Sequence, residues 1–172
     1  MAKILKAEFF NRSAIAVARD LLGTYLVREI GGKIERYKIV ETESYEGSQD
    51  KASKASRGQT PGNAPMFAEA ATIYVYFTYG MHWMLNIVCG KAGHPSAVLI
   101  RGVAGCIGPA RLTKKLGIDK MLNEKMLGKK SSLWIEEGDG QKLKIKKTPR
   151  IGIDSSGPVW SKKLYRFVLL SL

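Results

Sequence analysis

The stretch KIVETESY, residues 38–45, carries two carboxylates and a tyrosine at alternate positions. Side chains alternate across an extended chain, so Glu41, Glu43 and Tyr45 share one face and Val40, Thr42 and Ser44 the other. A carboxylate on a strand end, beside an aromatic ring and a loop, is a candidate general base where a partly dry pocket holds it. Spacing alone also fits an exposed edge-strand glutamate, the commoner place for one. A second cluster, IYVYFTYGMHW, spans residues 73–83. Tyr74 and Tyr76 share a strand face, and the break at Gly80 can set Tyr79 at a protruding hairpin tip. Flat aromatic rings grip an unstacked base, and a wedge at a hairpin tip can fill the gap that a flipped base leaves. Any one of these tyrosines fits a packed core equally well. Asn86 and Arg101 fall on two later strands. An asparagine can read a purine edge, and an arginine can hold a phosphate or orient a water. Gly108-Pro109 opens a basic helix whose first turn could attract a phosphate, or is an ordinary helix start.

The elements that must carry these residues are mostly strands. Asn11 or Ser13 can cap a helix over SAIAVARDLL, ended by Gly23. TYLVREI and the long KIERYKIVETESY read as strands joined by a two-residue turn at Gly31-Gly32. Residues 48–67 are rich in Ser, Gly, Pro and Asn and read as a long surface loop, either functional or disordered. TIYVYFTY, LNIVCG and SAVLIRGV follow as strands. PARLTKKLG is a helix, and Asp119 can cap a second helix over KMLNEKML, stopped at Gly128. SLWIEEG, KLKIKKTPRIGI and YRFVLLSL close the chain as strands. Strands outnumber helices without regular βαβ alternation, which predicts an α+β fold in one domain over residues 1–172.

Composition narrows the function. The 172 residues include 28 Lys/Arg against 15 Asp/Glu, a net charge of +13. The surplus is uneven: residues 1–86 carry +2 and residues 87–172 carry +11. Such a surface suits a polyanion, because each neutralised phosphate releases counterions; a merely solvated basic surface fits the charge alone equally well. Two cysteines without a C-x-x-C pair and two histidines argue against a zinc site or a disulfide framework. No apolar run reaches membrane-spanning length and no signal peptide is read, so a cytoplasmic protein without membrane contact is expected. Phosphate-binding glycine loops, zinc-protease, serine-hydrolase and deaminase signatures are absent from the sequence.

The segments IVETESYEG, TPGNAPMF, YVYFTYGMHWMLNIV, AVLIRG and GPARL, in this order from Phe9 to about Phe167, resemble the alkyladenine (3-methyladenine) DNA glycosylase family. The resemblance implies a curved, mainly antiparallel β-sheet with helices around it. It implies a monofunctional glycosylase without metal or cofactor, acting on double-stranded DNA with damaged purines. These include 3-methyladenine, 7-methylguanine, hypoxanthine and ethenoadenine. Nothing in the sequence demands an oligomer, so a monomer is expected. By the same resemblance Glu43 is the base that activates water and Arg101 helps position that water. Tyr45 and Tyr76 are the two stacking faces, Asn86 stands beside the purine edge, and Tyr79 intercalates. His82 and Gly108 are expected to contact DNA. The chain departs from the family in one pocket position. Asp50-Lys51-Ala52-Ser53-Lys54 matches a D-x-x-S-H-like stretch, so Lys54 stands where a histidine is usual. Gln59 and Gly62 replace arginines of many relatives. A catalytically quiet nucleic-acid-binding module of the same fold is the competing expectation, and a ribosome-associated basic protein a weaker one.

Overall fold

A strand that enters the interior needs polar partners for its buried backbone along both edges. The 14-residue strand β2 (Lys33–Glu46) meets that demand by changing neighbours along its length. In the computed structural model, which describes residues 1–170, its first half pairs with β1 (Tyr25–Ile30) and its second half with β9 (Arg166–Leu169). Its other edge pairs with β5 (Ser96–Val103). All pairings between strands are antiparallel, and the order β3-β4-β5-β2-β1-β7 runs from β3 (Ile73–Thr78) and β4 (His82–Val88) to β7 (Leu133–Glu136). The two-residue β6 (Cys106–Ile107) adds to β5, and β8 (Ile145–Thr148) adds to β9. The open antiparallel sheet and its few helices are the α+β class expected from the sequence.

The α-helices of the described residues are short: α1 (Ala7–Phe10), α2 (Ala14–Asp20), α3 (Pro109–Lys115) and α4 (Gly157–Trp160), of which α2 and α3 pack on the sheet. Ser13 caps α2, its Oγ accepting the Ala16 N–H at 3.2 Å. The buried face of α2 joins Phe10, Leu21, Leu26, Ile39, Ile100 and Phe167 in the main core. Thr42 points toward this helix, and its hydroxyl donates to Ala18 O at 2.7 Å. The opposite face of β2 is thereby left to Glu41, Glu43 and Tyr45.

Two sequence expectations change. The helix expected over KMLNEKML is a single 3₁₀ turn, Lys120–Leu122, capped by Asp119. The chain then turns extended at Asn123 and left-handed at Glu124 to serve the bare edge of β3. Glu124 N–H donates to Ile73 O, Ile73 N–H to Lys125 O, and Val75 N–H to the Asn123 side chain at 2.9 Å. Covering an edge strand outweighs local helix propensity here. The strand expected over KLKIKKTPRIGI stops at Thr148, because Pro149 lacks an N–H for the ladder. Of the last expected strand, Arg166–Leu169 is formed, and residues 171 and 172 lie outside the described residues.

The 48–67 loop is ordered by its own polar groups. The Asn63 amide donates to Lys54 O and Gly58 O, and its oxygen accepts the Thr60 N–H. Beneath it lies a second small core of Ala55, Met66, Tyr74, Val88 and Ala97. A buried ion pair fastens the loop to the sheet. Both guanidinium nitrogens of Arg150 reach the Asp50 carboxylate, at 2.6 and 2.9 Å, and one also reaches Ser44 O on β2 at 2.9 Å. Removing one member of such a pair strands a buried charge, at a cost of about 3–5 kcal/mol. Arg150→Met is therefore expected to lower unfolding free energy by that amount in urea. Trypsin should then cut at Lys51, Lys54 or Arg57 before the rest of the chain. The double replacement Asp50→Leu with Arg150→Met should recover most of the loss.

Candidate active site

The cavity that the β2 face opens into has a volume of about 330 Å³, within the range of small-molecule sites. Its floor is polar. Glu43 has no solvent exposure and sits on β2 in register with Leu99 of β5 and Arg166 of β9. Three donors from three segments converge on it. Ile151 N–H donates to Oε2 at 2.8 Å, and the Tyr45 hydroxyl donates to Oε1 at 3.0 Å. Arg101 Nη1 lies 3.5 Å from the same Oε1.

Arg101 owes its place to backbone irregularity. The β2–β5 register shifts twice, between Ile39 and Glu41 and again between Glu41 and Thr42, and the second shift leaves Arg101 unpaired opposite β2. Bulges of this kind re-aim a side chain. Arg101 Nε bonds Glu41 Oε1 at 3.0 Å, an oxygen that also takes Arg166 Nε at 2.7 Å. Glu41 therefore anchors two guanidinium groups, and the longer Arg101–Glu43 contact is the looser one.

The walls are aromatic. Tyr45 and Tyr76 both line the cavity, with Tyr74 behind Tyr76 at 5.3 Å between ring centroids. Arg150 stacks over Tyr45 at 4.7 Å from the ring centre, so the ion pair that holds the loop also holds this wall. Burial, then the neighbouring Glu43, raises the Tyr45 hydroxyl well above the usual phenol range. The same two causes push Tyr76 up to about 12. Both hydroxyls remain protonated donors.

Asn86, on β4 opposite Tyr74, lines the cavity with its amide nitrogen committed to Tyr74 O at 3.2 Å and Met84 O at 3.4 Å. Its oxygen is the group left for an occupant. Lys54 also lines the cavity, its ammonium 4.4 Å above the centre of the Tyr76 ring. Met66, Met84, Ile151 and Ile153 add apolar surface.

Tyr79 lies at the tip of the β3–β4 hairpin, 79% exposed and lining the cavity mouth. Tyr79 and Gly80 both have positive φ, the backbone of the tight hairpin turn that matches strand twist, closed by Met81 N–H to Thr78 O. His82 starts β4 across from Thr78 and does not line the cavity. Gly108 caps α3 at a φ of 109°, and its own N–H is spent on Arg101 O at 2.9 Å; the following Pro109 lines the cavity.

The structure thus brings Glu43, Arg101, Tyr45, Tyr76, Asn86, Lys54 and Tyr79 around one cavity and leaves His82 and Gly108 beside it. Sequence reasoning missed Arg150 and Ile151, which lie in a stretch read as strand. Pro149 and Gly152 around a lone Arg-Ile pair were the available signal. Among the described residues no group of three His, Cys, Asp or Glu side chains is placed to hold a metal ion, and no helix is long and apolar enough to cross a membrane.

The profile of the family described as "Methylpurine-DNA glycosylase (MPG)" matches residues 8–106 and 103–171. Among related proteins, one from Carboxydothermus hydrogenoformans is 41% identical over 187 residues, covering 96% of this chain and 95% of its own. One from Methanocella arvoryzae is 38% identical over 174 residues, covering 90% and 86%. One from Anaeromyxobacter sp. is 38% identical over 172 residues, covering 96% and 88%. All three bear the name "Putative 3-methyladenine DNA glycosylase". A polar carboxylate floor, aromatic walls and an exposed aromatic tip accompany a match along nearly the whole chain: this protein belongs to the methylpurine-DNA glycosylase family.

Proposed function

We propose that this protein excises alkylated or deaminated purines from duplex DNA by flipping the base into the cavity and hydrolysing its bond to the sugar. The observation that carries the proposal is Glu43: a fully buried carboxylate, held by three donors, at the floor of an aromatic-walled cavity. The flipped purine stacks between Tyr45 and Tyr76 with its edge toward Asn86. Glu43 takes a proton from a water that Arg101 helps to position. The water oxygen bonds to C1′ as the C1′–N9 bond breaks, and the bond pair leaves on the purine nitrogen. Tyr79 fills the vacated place in the helix. Extrusion costs a few kcal/mol and least for damaged pairs, which contributes selectivity. His82 and the start of α3 beside Gly108 contact the DNA backbone, where the basic surface supplies sequence-independent affinity. The protein works as a cytoplasmic monomer without lyase activity.

Single-turnover excision from duplexes carrying hypoxanthine or ethenoadenine tests the reading. The unmodified protein should yield alkali-sensitive sites, and Glu43→Gln should lose about 10²–10⁴-fold in rate. No release of any damaged purine, with salt-sensitive DNA binding intact, would replace the enzyme by a binding module.

Tyr79→Ala should leave stability within about 0.5 kcal/mol, because the side chain is exposed. It should slow excision from duplex DNA more than from single strands, where no stack needs filling. Equal losses on both would remove the wedge role.

The tyrosines set a pH expectation. A raised phenol value favours the protonated form in the folded protein. The stability this contributes is complete below the ordinary value near 10 and is lost as pH rises from there through the folded-state value. Spectroscopic titration at 295 nm up to pH 10.5 should therefore find Tyr45 and Tyr76 un-ionised, with no tyrosine step in the excision rate below that pH.

A further inference from the structure

We infer that Lys54 is a charge filter on the cavity, selecting neutral damaged purines over cationic ones; this rests on the purine-excising reading above. The Lys54 ammonium lies 4.4 Å above the centre of the Tyr76 ring, and both side chains line the cavity. Tyr74 stands against Tyr76 at 5.3 Å, so the ring already has neighbours on the core side and the cation over it.

A cation over an aromatic face is attracted by the ring quadrupole. A purine alkylated at N7 or N3 within DNA carries a positive charge in its own ring. It competes with Lys54 for the electron-rich face of Tyr76 and repels the ammonium at close range. Near a protein surface, like charges a few ångströms apart shift an equilibrium by at least about tenfold. A neutral purine meets no such repulsion. The ammonium has three donors and no acceptor, so it can donate to O6 or N7 of hypoxanthine or to an etheno-ring nitrogen. A purine methylated at N7 has lost that acceptor as well as gaining the charge.

The donated hydrogen bond also assists the chemistry asymmetrically. When C1′–N9 breaks, the bond pair stays on the purine. A cationic purine leaves as a neutral molecule without help. A neutral purine leaves as an anion until protonated, and an ammonium at its edge stabilises that charge. Lys54 therefore disfavours the cationic substrate on binding and favours the neutral one on departure. The other charges at the cavity are Glu43 and Arg101, which are tied to each other, and Arg101 also to Glu41 at the floor; among the described residues the Lys54 ammonium contacts a ring instead.

The backbone supports substitution. Lys54 is exposed, and the loop is held through its carbonyl, which accepts the Asn63 amide at 2.9 Å. Lys54→Gln and Lys54→His keep that carbonyl and remove the fixed charge.

The test is single-turnover excision of hypoxanthine and of 7-methylguanine, each from an otherwise identical duplex, by the unmodified protein, Lys54→Gln and Lys54→His. The quantity read is the ratio of the two rates, so a general loss of activity cancels. The ratio of hypoxanthine to 7-methylguanine should fall about tenfold or more in both variants, with the unmodified protein favouring hypoxanthine. Inhibition by the free bases gives a second readout: free hypoxanthine should inhibit the unmodified protein more strongly than either variant. Excision with the same ratio in all three proteins would overturn the filter and leave the glycosylase reading standing. Release of neither base by the unmodified protein would overturn both.

Discussion

A carboxylate without solvent exposure has to be satisfied from within the protein, and Glu43 imposes that constraint on the rest of this structure. Its donors come from β2 itself, from a bulge in β5 and from a main-chain N–H after β8. None is close to another in sequence, so the buried carboxylate finds all three donors only when sheet and loops are assembled. The 14-residue β2 can bury this carboxylate because its second half is paired along both edges. Its two register shifts are where the regular ladder yields to the needs of the side chains.

The same constraint accounts for the order of charges along the floor. Arg166, Glu41, Arg101 and Glu43 alternate in sign, and Asp50 with Arg150 closes the set behind Tyr45. Each carboxylate there faces a guanidinium, and the planar fork of arginine lets one group serve two acceptors, as Arg101 and Arg150 both do. Strain and exposure are kept at the other end of the cavity. Tyr79 is a non-glycine residue in left-handed backbone at a hairpin tip, with an aromatic ring in water. Neither feature helps folding. Such positions are where a protein holds surface in readiness for a partner.

Much of this was legible in the sequence because it depends on local pattern. Period-two alternation put Glu41, Glu43 and Tyr45 on one face, and Gly80 marked the tip that carries Tyr79. Ser13 capping α2 and Gly31-Gly32 turning into β2 are likewise local events. What was not legible depends on distant chain. Residues 123–127 read as helix until the edge of β3 claims their backbone. Arg150 and Ile151 read as strand; Pro149 and Gly152 mark a break there, but that one guanidinium pairs with Asp50, 100 residues away, while the next N–H meets Glu43, depends on distant chain. Whether Lys54 faced solvent or the cavity likewise depended on how the 48–67 loop folds over Tyr74 and Tyr76.

The basic second half of the chain divides its labour by residue type. Of its four arginines, Arg101, Arg150 and Arg166 are turned inward and paired with Glu41, Glu43 and Asp50, so they add nothing to the outer field. Its lysines, on the segments around α3, before β7 and along β8, remain exposed. An ammonium is strongly hydrated and suits a contact with phosphate that must form and break, whereas a guanidinium suits a fixed, desolvated geometry. The net charge in the sequence is thus a reading of the surface alone. The interior has its own balance, in which three acids and three arginines pair beneath and behind the cavity.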